Sequence, residues 1–236
     1  MPFQSIEPRR LYRQIADQIR ALIGSGEYHA GARLPSERDL AKQLGVSRPS
    51  VREALIALEV EGMVEVRIGS GIYALGQAGK PVVDPDEPAE AEAGPFELLR
   101  ARYVIESECA ALAAKSAKKT HLRAIEEALD QMASESRGGS QPLAGDRLFH
   151  LRVVEGTGNG ALVAVVKMLW EERTGTLYKQ LEEHYDSPAL WTSAMAEHRA
   201  VQKAIAVRDP VAAKSAMQRH LNHAYKRFST GWDNLK

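Results

Sequence analysis

Residues 36–55 read SERDLAKQLGVSRPSVREAL and decide the fold of the first third of the chain. Ser36 is a good N-cap for a short helix, with Asp39 three residues on, and Gly45 is suited to end that helix. Ser47 caps the next helix, which carries a proline in its first turn, where a missing N–H is tolerated. The stretch therefore predicts a helix, a tight glycine-containing turn and a second helix.

The second of these helices, predicted from Arg48 to Glu61, carries two arginines on the face opposite its apolar residues. Arg48 and Arg52 lie four residues apart near its N-terminus. In a helix-turn-helix, this end of the second helix reaches base edges, and arginine can bond both O6 and N7 of guanine. We predict that Arg48 and Arg52 read DNA bases, although on an isolated helix such a pair more often forms a solvated face.

Two short β-prone runs follow the helices, from Met63 to Ile68 and from Gly71 to Leu75, joined by Gly69-Ser70-Gly71. A glycine-rich tip has no bulky side chains, so such a hairpin can approach phosphates or the minor groove of DNA. Together with an amphipathic first helix, this order of elements predicts a winged helix-turn-helix domain over residues 1–75.

The rest of the chain divides into a linker and a helical domain. Residues 76–94 are rich in proline, glycine and acidic residues and lack an apolar period, which is typical of a linker. Residues 95–232 carry almost continuous helical patterning, broken at Gly138-Gly139, Gly156-Thr157-Gly158, Ser187-Pro188 and Asp209-Pro210. We predict a mainly α fold in which this second domain is an all-α bundle of about six helices.

The composition excludes several classes of protein. The 236 residues are 44% hydrophobic and 26% charged, with 31 basic and 31 acidic side chains, which suits a globular chain and not an indiscriminate polyanion binder. The longest apolar run, from Ala161 to Val166, is far shorter than the roughly 18 residues that span a bilayer. The single cysteine, Cys109, cannot form an intramolecular disulfide. We expect a cytoplasmic protein with no membrane partner and a core thiol at Cys109.

The helical domain contains residue types that ligate metal ions. Asp146 and His150 are four residues apart, so they project from one helix face and could chelate a divalent cation. His198 and His220 each lie in a helix with its own apolar stripe. A single histidine in such a helix is more often a core or surface residue than a ligand, so spacing alone leaves the site open.

Longer phrases in the first domain resemble a known family. The phrases LPSER at 34–38, SRPSVREAL at 47–55 and EGMV at 61–64, with GSG at 69–71, are similar to the winged-helix signature of the GntR family of bacterial transcription regulators. The resemblance covers residues 8–75. It implies binding to double-stranded operator DNA through Arg38, Ser47, Arg48, Arg52 and Gly69.

The second domain resembles the FCD effector domain of the FadR subfamily over about residues 96–228. The matching phrases start with RYVIE at 102–106 and then centre on the aspartate and histidines named above. The resemblance implies a homodimer on a palindromic operator and a divalent ion, Zn, Ni, Mn or Fe, held by Asp146, His150, His198 and His220. It also implies that Arg102 clamps the carboxylate of a small effector. For Arg102, the alternative is an ordinary ion pair with Glu106, four residues on.

Further phrases, including EPRRLY at 7–12 and MLW at 168–170, look like the bacterial hexuronate-utilisation repressors. They imply a repressor of sugar-acid catabolic genes, of the hexuronate or aldarate type, which a small carboxylate releases from DNA. There are three alternatives. The protein could be a regulator that responds to another organic acid, a regulator for which the metal itself is the signal, or a metal-dependent enzyme fused to a DNA-binding head. We expect no enzymatic activity, because no His-Glu-x-x-His or comparable catalytic motif occurs.

Overall fold

The structure is a computed structural model that describes residues 10–67, 70–76, 93–174, 178–179, 182 and 187–227. Within these ranges the chain is mainly helical, which confirms the predicted fold class. The elements are α1 (Leu11–Gly24), α2 (Glu37–Leu44), α3 (Arg48–Val60), β1 (Val64–Arg67), β2 (Gly71–Ala74), α4 (Pro95–Ser116), α5 (Lys119–Arg137), α6 (Leu143–Glu155), α7 (Gly160–Glu171) with a 3-10 turn at Glu172–Thr174, α8 (Pro188–Ala206) and α9 (Pro210–Arg227).

The chain divides into two compact units. The first contains residues up to Glu97 and the described residues of the segment 174–185, and the second contains Leu98–Arg173 and Asp186–Arg227. Most of the predicted linker, 76–94, lies outside the described residues. The predicted domain limits at residues 75, 94 and 232 therefore stay predictions.

The first unit has the predicted winged helix-turn-helix. The Ser36 hydroxyl accepts a hydrogen bond from the Asp39 backbone N–H at 3.2 Å, and Gly45 ends α2 with a left-handed φ of 66°. Ser47 caps α3 by accepting from the Ser50 N–H at 3.4 Å. Strands β1 and β2 then pair as an antiparallel wing, in register from Val64↔Ala74 to Arg67↔Gly71. Local capping thus fixes the turn that presents the N-terminus of α3.

The second unit is an all-helical bundle, and its described part contains the six helices α4 to α9. Helix α5 packs against α6 and α8, while α8 also packs against α9. At Gly145 in α6, an added Cβ would lie 2.7 Å from the backbone nitrogen of Met132 in α5. The absence of a side chain therefore lets the two helices approach closely, one residue before Asp146. The core between the helices includes Ile125, Phe149, Val153, Val201 and Met217.

Two expectations from composition can be compared with the described residues. None of their helices combines the length and apolar character needed to cross a membrane. Cys109 is buried, with 1% of its surface exposed, as expected for a core thiol. Burial raises the pKa of its thiol to about 11, so little reactive thiolate forms near neutral pH.

Candidate metal centre and nucleic-acid interface

Four side chains from three helices converge inside the second unit. Asp146 and His150 come from α6, His198 from α8 and His220 from α9, and one ligand atom of each lies within 4.8 Å of the others. All four residues are buried. The structure therefore brings together all four residues that the resemblance assigned to a metal site.

The atoms that meet are the Nε2 nitrogens of the histidines and one carboxylate oxygen. His150 Nε2 lies 3.2 Å from the Nε2 of His198 and 3.2 Å from that of His220. Oδ1 of Asp146 lies 3.0 Å from His198 Nε2 and 3.7 Å from His150 Nε2. A three-nitrogen, one-oxygen donor set of this kind suits Zn, Ni, Mn or Fe.

The second ring nitrogen of each histidine is anchored to an oxygen. His198 Nδ1 bonds the Ala194 carbonyl at 2.7 Å, His220 Nδ1 bonds a Glu197 oxygen at 2.9 Å, and His150 Nδ1 bonds Glu106. Carbonyl and carboxylate oxygens only accept, so each neutral imidazole donates through Nδ1 and carries its lone pair on Nε2. Three lone pairs and a carboxylate oxygen then face one another, an arrangement that a cation between them would stabilise. The residues present thus fit a divalent ion.

The electrostatics of the cluster favour the protonation states that ligate a metal. Burial lowers the pKa of His150 and, with the nearby histidines, lowers that of His220 to about 3. Burial alone would raise the pKa of Asp146, but its close contact with the His198 imidazole and the nearby positive charge of Arg173 hold it well below its usual value. His150 and His220 are therefore neutral and Asp146 is anionic near neutral pH, as metal binding requires.

A buried glutamate, a partly buried glutamate and an arginine form an outer layer around the four residues. Glu106, fully buried, also accepts from Arg102 Nε at 2.7 Å. Glu197 also accepts from His223 at 2.7 Å and from Arg227 at 2.9 Å. Burial would raise the pKa of Glu197, but its bonds from the histidines lower it to about 2.

The third outer residue, Arg173, donates to Asp146 Oδ2 at 3.2 Å. Sequence analysis named Glu106 only as a partner of Arg102 and could not place Glu197 or Arg173 beside the metal ligands. The spacing of Arg102 and Glu106 was the one available signal, because the bond from Glu106 to His150 joins residues 44 positions apart.

Arg102 has features of both roles considered for it. Its side chain is 3% exposed, and its Nε forms the ion pair with Glu106 that was the alternative interpretation. Its Cζ lies 4.2 Å from the ring centre of Trp170, over whose ring Arg173 also lies, at 4.0 Å. The two terminal nitrogens of Arg102 form no hydrogen bond to any residue that the structure describes. The ion pair through Nε therefore leaves the terminal nitrogens available to a ligand.

In the first unit, one acidic residue joins the two helices of the helix-turn-helix. The Glu37 carboxylate, in α2, accepts from Arg48 Nε at 2.8 Å and from Arg52 Nε at 2.9 Å. The Arg48 side chain is 58% exposed, whereas that of Arg52 is only 10% exposed.

The other predicted DNA contacts lie in the same unit. Arg38 is exposed on α2, and Ser47 is the N-cap of α3. The predicted wing-tip contact, Gly69, lies outside the described residues.

The chain combines a winged helix-turn-helix unit with a helical unit that holds a buried cluster of possible metal ligands. This combination is typical of transcription regulators that carry their own sensor domain. The chain matches the model for "Bacterial regulatory proteins, gntR family" over residues 11–74 and that for the "FCD domain" over residues 97–223. The protein belongs to the GntR family of transcriptional regulators and carries an FCD domain. A helix-turn-helix of this family implies binding to double-stranded DNA.

Similar proteins share both units. The chain is 39% identical over 226 residues to the Uxu operon transcriptional regulator of Escherichia coli (strain K12), covering 93% of this chain and 87% of that protein. It is 41% identical over 221 residues to the Exu regulon transcriptional regulator of the same strain, covering 92% and 84%. The solved structure of E. coli McbR/YncC has the same fold, with a TM-score of 0.52 and 21% identity, over 94% of this chain and 98% of that one. The family and these relatives are transcriptional regulators and not enzymes, as predicted.

Proposed function

We propose that the protein is a homodimeric repressor of sugar-acid catabolic genes, of the hexuronate or aldarate type. A small carboxylate effector binds beside a divalent ion in the FCD domain and releases the repressor from its operator. The observation that carries this proposal is the convergence of four buried ligand atoms whose histidines are anchored through Nδ1. The relatives named for the Uxu operon and the Exu regulon support the choice of sugar acids.

We assign the ion to Asp146, His150, His198 and His220. In octahedral coordination, four protein ligands would leave positions open, and the bound ion would supply a Lewis acid for an oxygen of the effector. Zn, Ni, Mn and Fe all suit this donor set, and their availability in the cell decides among them as much as ligand type does.

The charges around the cluster favour an anionic effector. Three pairs of opposite charge offset one another, namely Arg102–Glu106, Arg173–Asp146 and Arg227–Glu197. A divalent ion in the cluster would add positive charge to these three pairs. Because buried uncompensated charge is costly, an acid anion is a better ligand here than a neutral molecule. The terminal nitrogens of Arg102 are the proposed clamp for its carboxylate.

On the DNA side, we assign contacts to Arg38, Ser47, Arg48, Arg52 and Gly69. The exposure of Arg48 supports a direct role in base reading, and Arg52 lies beside it on the same acidic partner. In a homodimer, each winged helix reads one half of a palindromic operator, in the cytoplasm where a bacterial chromosome lies. The acid can lower the affinity for the operator only if it binds one arrangement of the dimer more tightly than the other.

A thermal-shift screen tests the sensor site. We expect the melting temperature of zinc-loaded protein to rise with one of the acids D-galacturonate, D-glucuronate, galactarate, gluconate or lactate, and the rise to disappear after chelation. Asp146→Ala and His198→Ala are expected to lose bound metal and the acid response. His29→Ala, which removes an exposed histidine of the first unit, is the control and keeps both.

Two results of this screen would contradict the proposal. If the two cluster variants keep their metal and their acid response, the site is elsewhere. If no acid stabilises the protein while zinc alone does so strongly, the metal itself is the signal.

A further inference from the structure

Trp170 has a buried hydrogen-bond donor, the N–H of its indole ring. The residue is 4% exposed, and its indole Nε1 has no hydrogen-bond partner in the part of the chain that the structure describes. Buried indole N–H groups usually have a partner, because an unsatisfied donor costs free energy. The indole nitrogen of Trp191 has no partner in the described chain either, so Trp170 is distinguished by its surroundings.

The surroundings of Trp170 place its ring at the proposed effector site. Its ring centre lies 5.2 Å from that of His150, one of the proposed metal ligands. The guanidinium groups of Arg102 and Arg173 both lie over its ring, so they are no further apart than the sum of their distances of 4.2 and 4.0 Å from its centre. Each arginine is paired with a carboxylate through one of its nitrogens, and the terminal nitrogens of Arg102 stay available to an anion beside this ring.

Three donor groups, the two terminal nitrogens of Arg102 and the Trp170 N–H, surround this position, whereas one carboxylate has only two oxygens. The terminal nitrogens of Arg102 match the two oxygens of a carboxylate in the usual bidentate geometry. The Trp170 N–H then requires a further acceptor, which a simple carboxylate clamped in this way does not provide. A hydroxyl or carbonyl oxygen on the body of the acid would provide it.

We infer that the Trp170 indole N–H donates to an oxygen of the effector outside its clamped carboxylate. Trp170 is thereby a specificity-determining residue that selects hydroxy or oxo acids over plain carboxylic acids. The inference rests on the proposed function, because it takes the acid to bind beside the ion and Arg102. It adds to that function a named discriminating contact and an oxygen-rich ligand class.

The contact can be observed directly in the unaltered protein. The chain has three tryptophans, so ¹⁵N labelling gives three indole N–H signals, which Trp191→Phe and Trp232→Phe assign by elimination. On adding D-galacturonate to zinc-loaded protein, we expect the Trp170 signal to move downfield and the Trp191 signal to stay. An unmoved Trp170 signal at saturating acid would overturn the inference.

A substitution gives a second, quantitative test. Trp170→Phe keeps an aromatic ring for the two guanidinium groups and removes the N–H, although the smaller ring also fills less of the buried space. We expect the half-saturating concentration of D-galacturonate to rise roughly tenfold, and the preference for galacturonate over acetate to fall by the same factor. Trp191→Phe is the matched control, since Trp191 also has a buried indole nitrogen without a partner in the described chain but packs on the apolar core.

The two proposals fail in different ways. If the wild-type protein binds no acid of the panel, the proposed function fails first. If the wild type binds galacturonate and Trp170→Phe binds it equally well at equal zinc content, the contact is wrong and the proposed function stands.

Discussion

Each histidine of the candidate metal centre is anchored by an acceptor of its own. His198 uses a backbone carbonyl of its own helix, His220 a glutamate from α8 and His150 a glutamate from α4. Such outer partners fix the tautomer and the ring orientation of a ligand. The affinity of the site for metal therefore depends on Glu106 and Glu197 as well as on the ligands themselves.

Glu106→Gln tests this dependence. The glutamate is fully buried and serves both His150 and Arg102, so its neutralisation leaves a buried guanidinium without its counter-ion. We expect a loss of about 3 kcal/mol in the free energy of unfolding and roughly 10- to 100-fold weaker zinc binding. Urea unfolding and competition with a zinc indicator measure the two effects.

The control for this change is Glu127→Gln, which breaks an exposed pair with Arg123 of the same i,i+4 type. It is expected to cost at most about 0.5 kcal/mol and to leave zinc affinity as it was. Equal zinc affinity in Glu106→Gln and wild type would show that Glu106 does not act on the ligands.

The buried histidines also predict a pH dependence for the metal-free protein. Burial lowers the pKa of His220 from 6.5 to about 3, so between these values the unfolded chain binds a proton that the folded protein does not. Stability is therefore present above the unfolded pKa and is lost as the pH falls from about 6.5. Glu197, with its pKa lowered to about 2, acts in the same direction below about pH 4.5.

We expect EDTA-treated wild type to lose free energy of unfolding between about pH 7 and 4.5, and His220→Gln to lose less. Urea titrations at a series of pH values measure both slopes. Parallel slopes for the two proteins would contradict the assignment of this dependence to His220.

The sequence could predict a residue of the site only where a family motif or a helical spacing identifies it. The resemblance supplied the four candidate ligands, and the spacing of Asp146 and His150 showed independently that they share a helix face. The bond from Glu197 to His220 and the position of Trp170 under two arginines depend on how separate helices pack. No local pattern encodes such contacts, so the outer layer could be found only in the folded structure.

At the scale of helices and strands, local sequence was sufficient because capping chemistry is local. Ser36, Gly45 and Ser47 were predicted to start or end α2 and α3, and the structure confirms each. The predicted breaks also match the ends of α5 and α6 and the starts of α8 and α9. The close approach of α5 and α6 at Gly145 was not predicted, since it depends on which helices become neighbours.

The contacts of Glu37 in α2 with Arg48 and Arg52 in α3 predict different effects for substitutions of the two arginines. Arg48 is exposed, so Arg48→Ala should weaken operator binding by about 1–3 kcal/mol with little change in stability. Arg52 is buried against Glu37, so Arg52→Ala should weaken operator binding and also lower the free energy of unfolding by about 1–3 kcal/mol. Fluorescence anisotropy with operator and scrambled DNA, combined with urea unfolding, separates the two effects.

Equal stability losses for both variants would contradict the structural difference between the two arginines. If neither variant changes the affinity or the specificity for operator DNA, their assignment as DNA contacts is wrong.

For the whole molecule, the proposed homodimer makes operator geometry a measurable quantity. We expect sedimentation to give twice the chain mass of 25.9 kDa. Inserting about five base pairs between the operator half-sites turns one half-site to the opposite side of the duplex and should reduce the affinity to that of a single half-site. A monomer in solution, or an unchanged affinity after the insertion, would contradict this arrangement.

The two halves of the chain were also predicted as distinct functional parts. The change from β-branched and glycine-punctuated sequence to continuous helical pattern separated them, because strand and helix periods differ. How an acid in one half changes DNA binding by the other depends on free energies between whole-dimer states, which no local pattern records.

The measurement that tests the central claim most directly is operator affinity of zinc-loaded protein, by fluorescence anisotropy, with and without each acid of the panel. We predict that one hydroxylated sugar acid weakens operator binding at least fivefold, and that chelation or Asp146→Ala removes this effect. If no acid changes the operator affinity of the zinc-loaded protein, a carboxylate-sensing metal centre is the wrong account of this regulator.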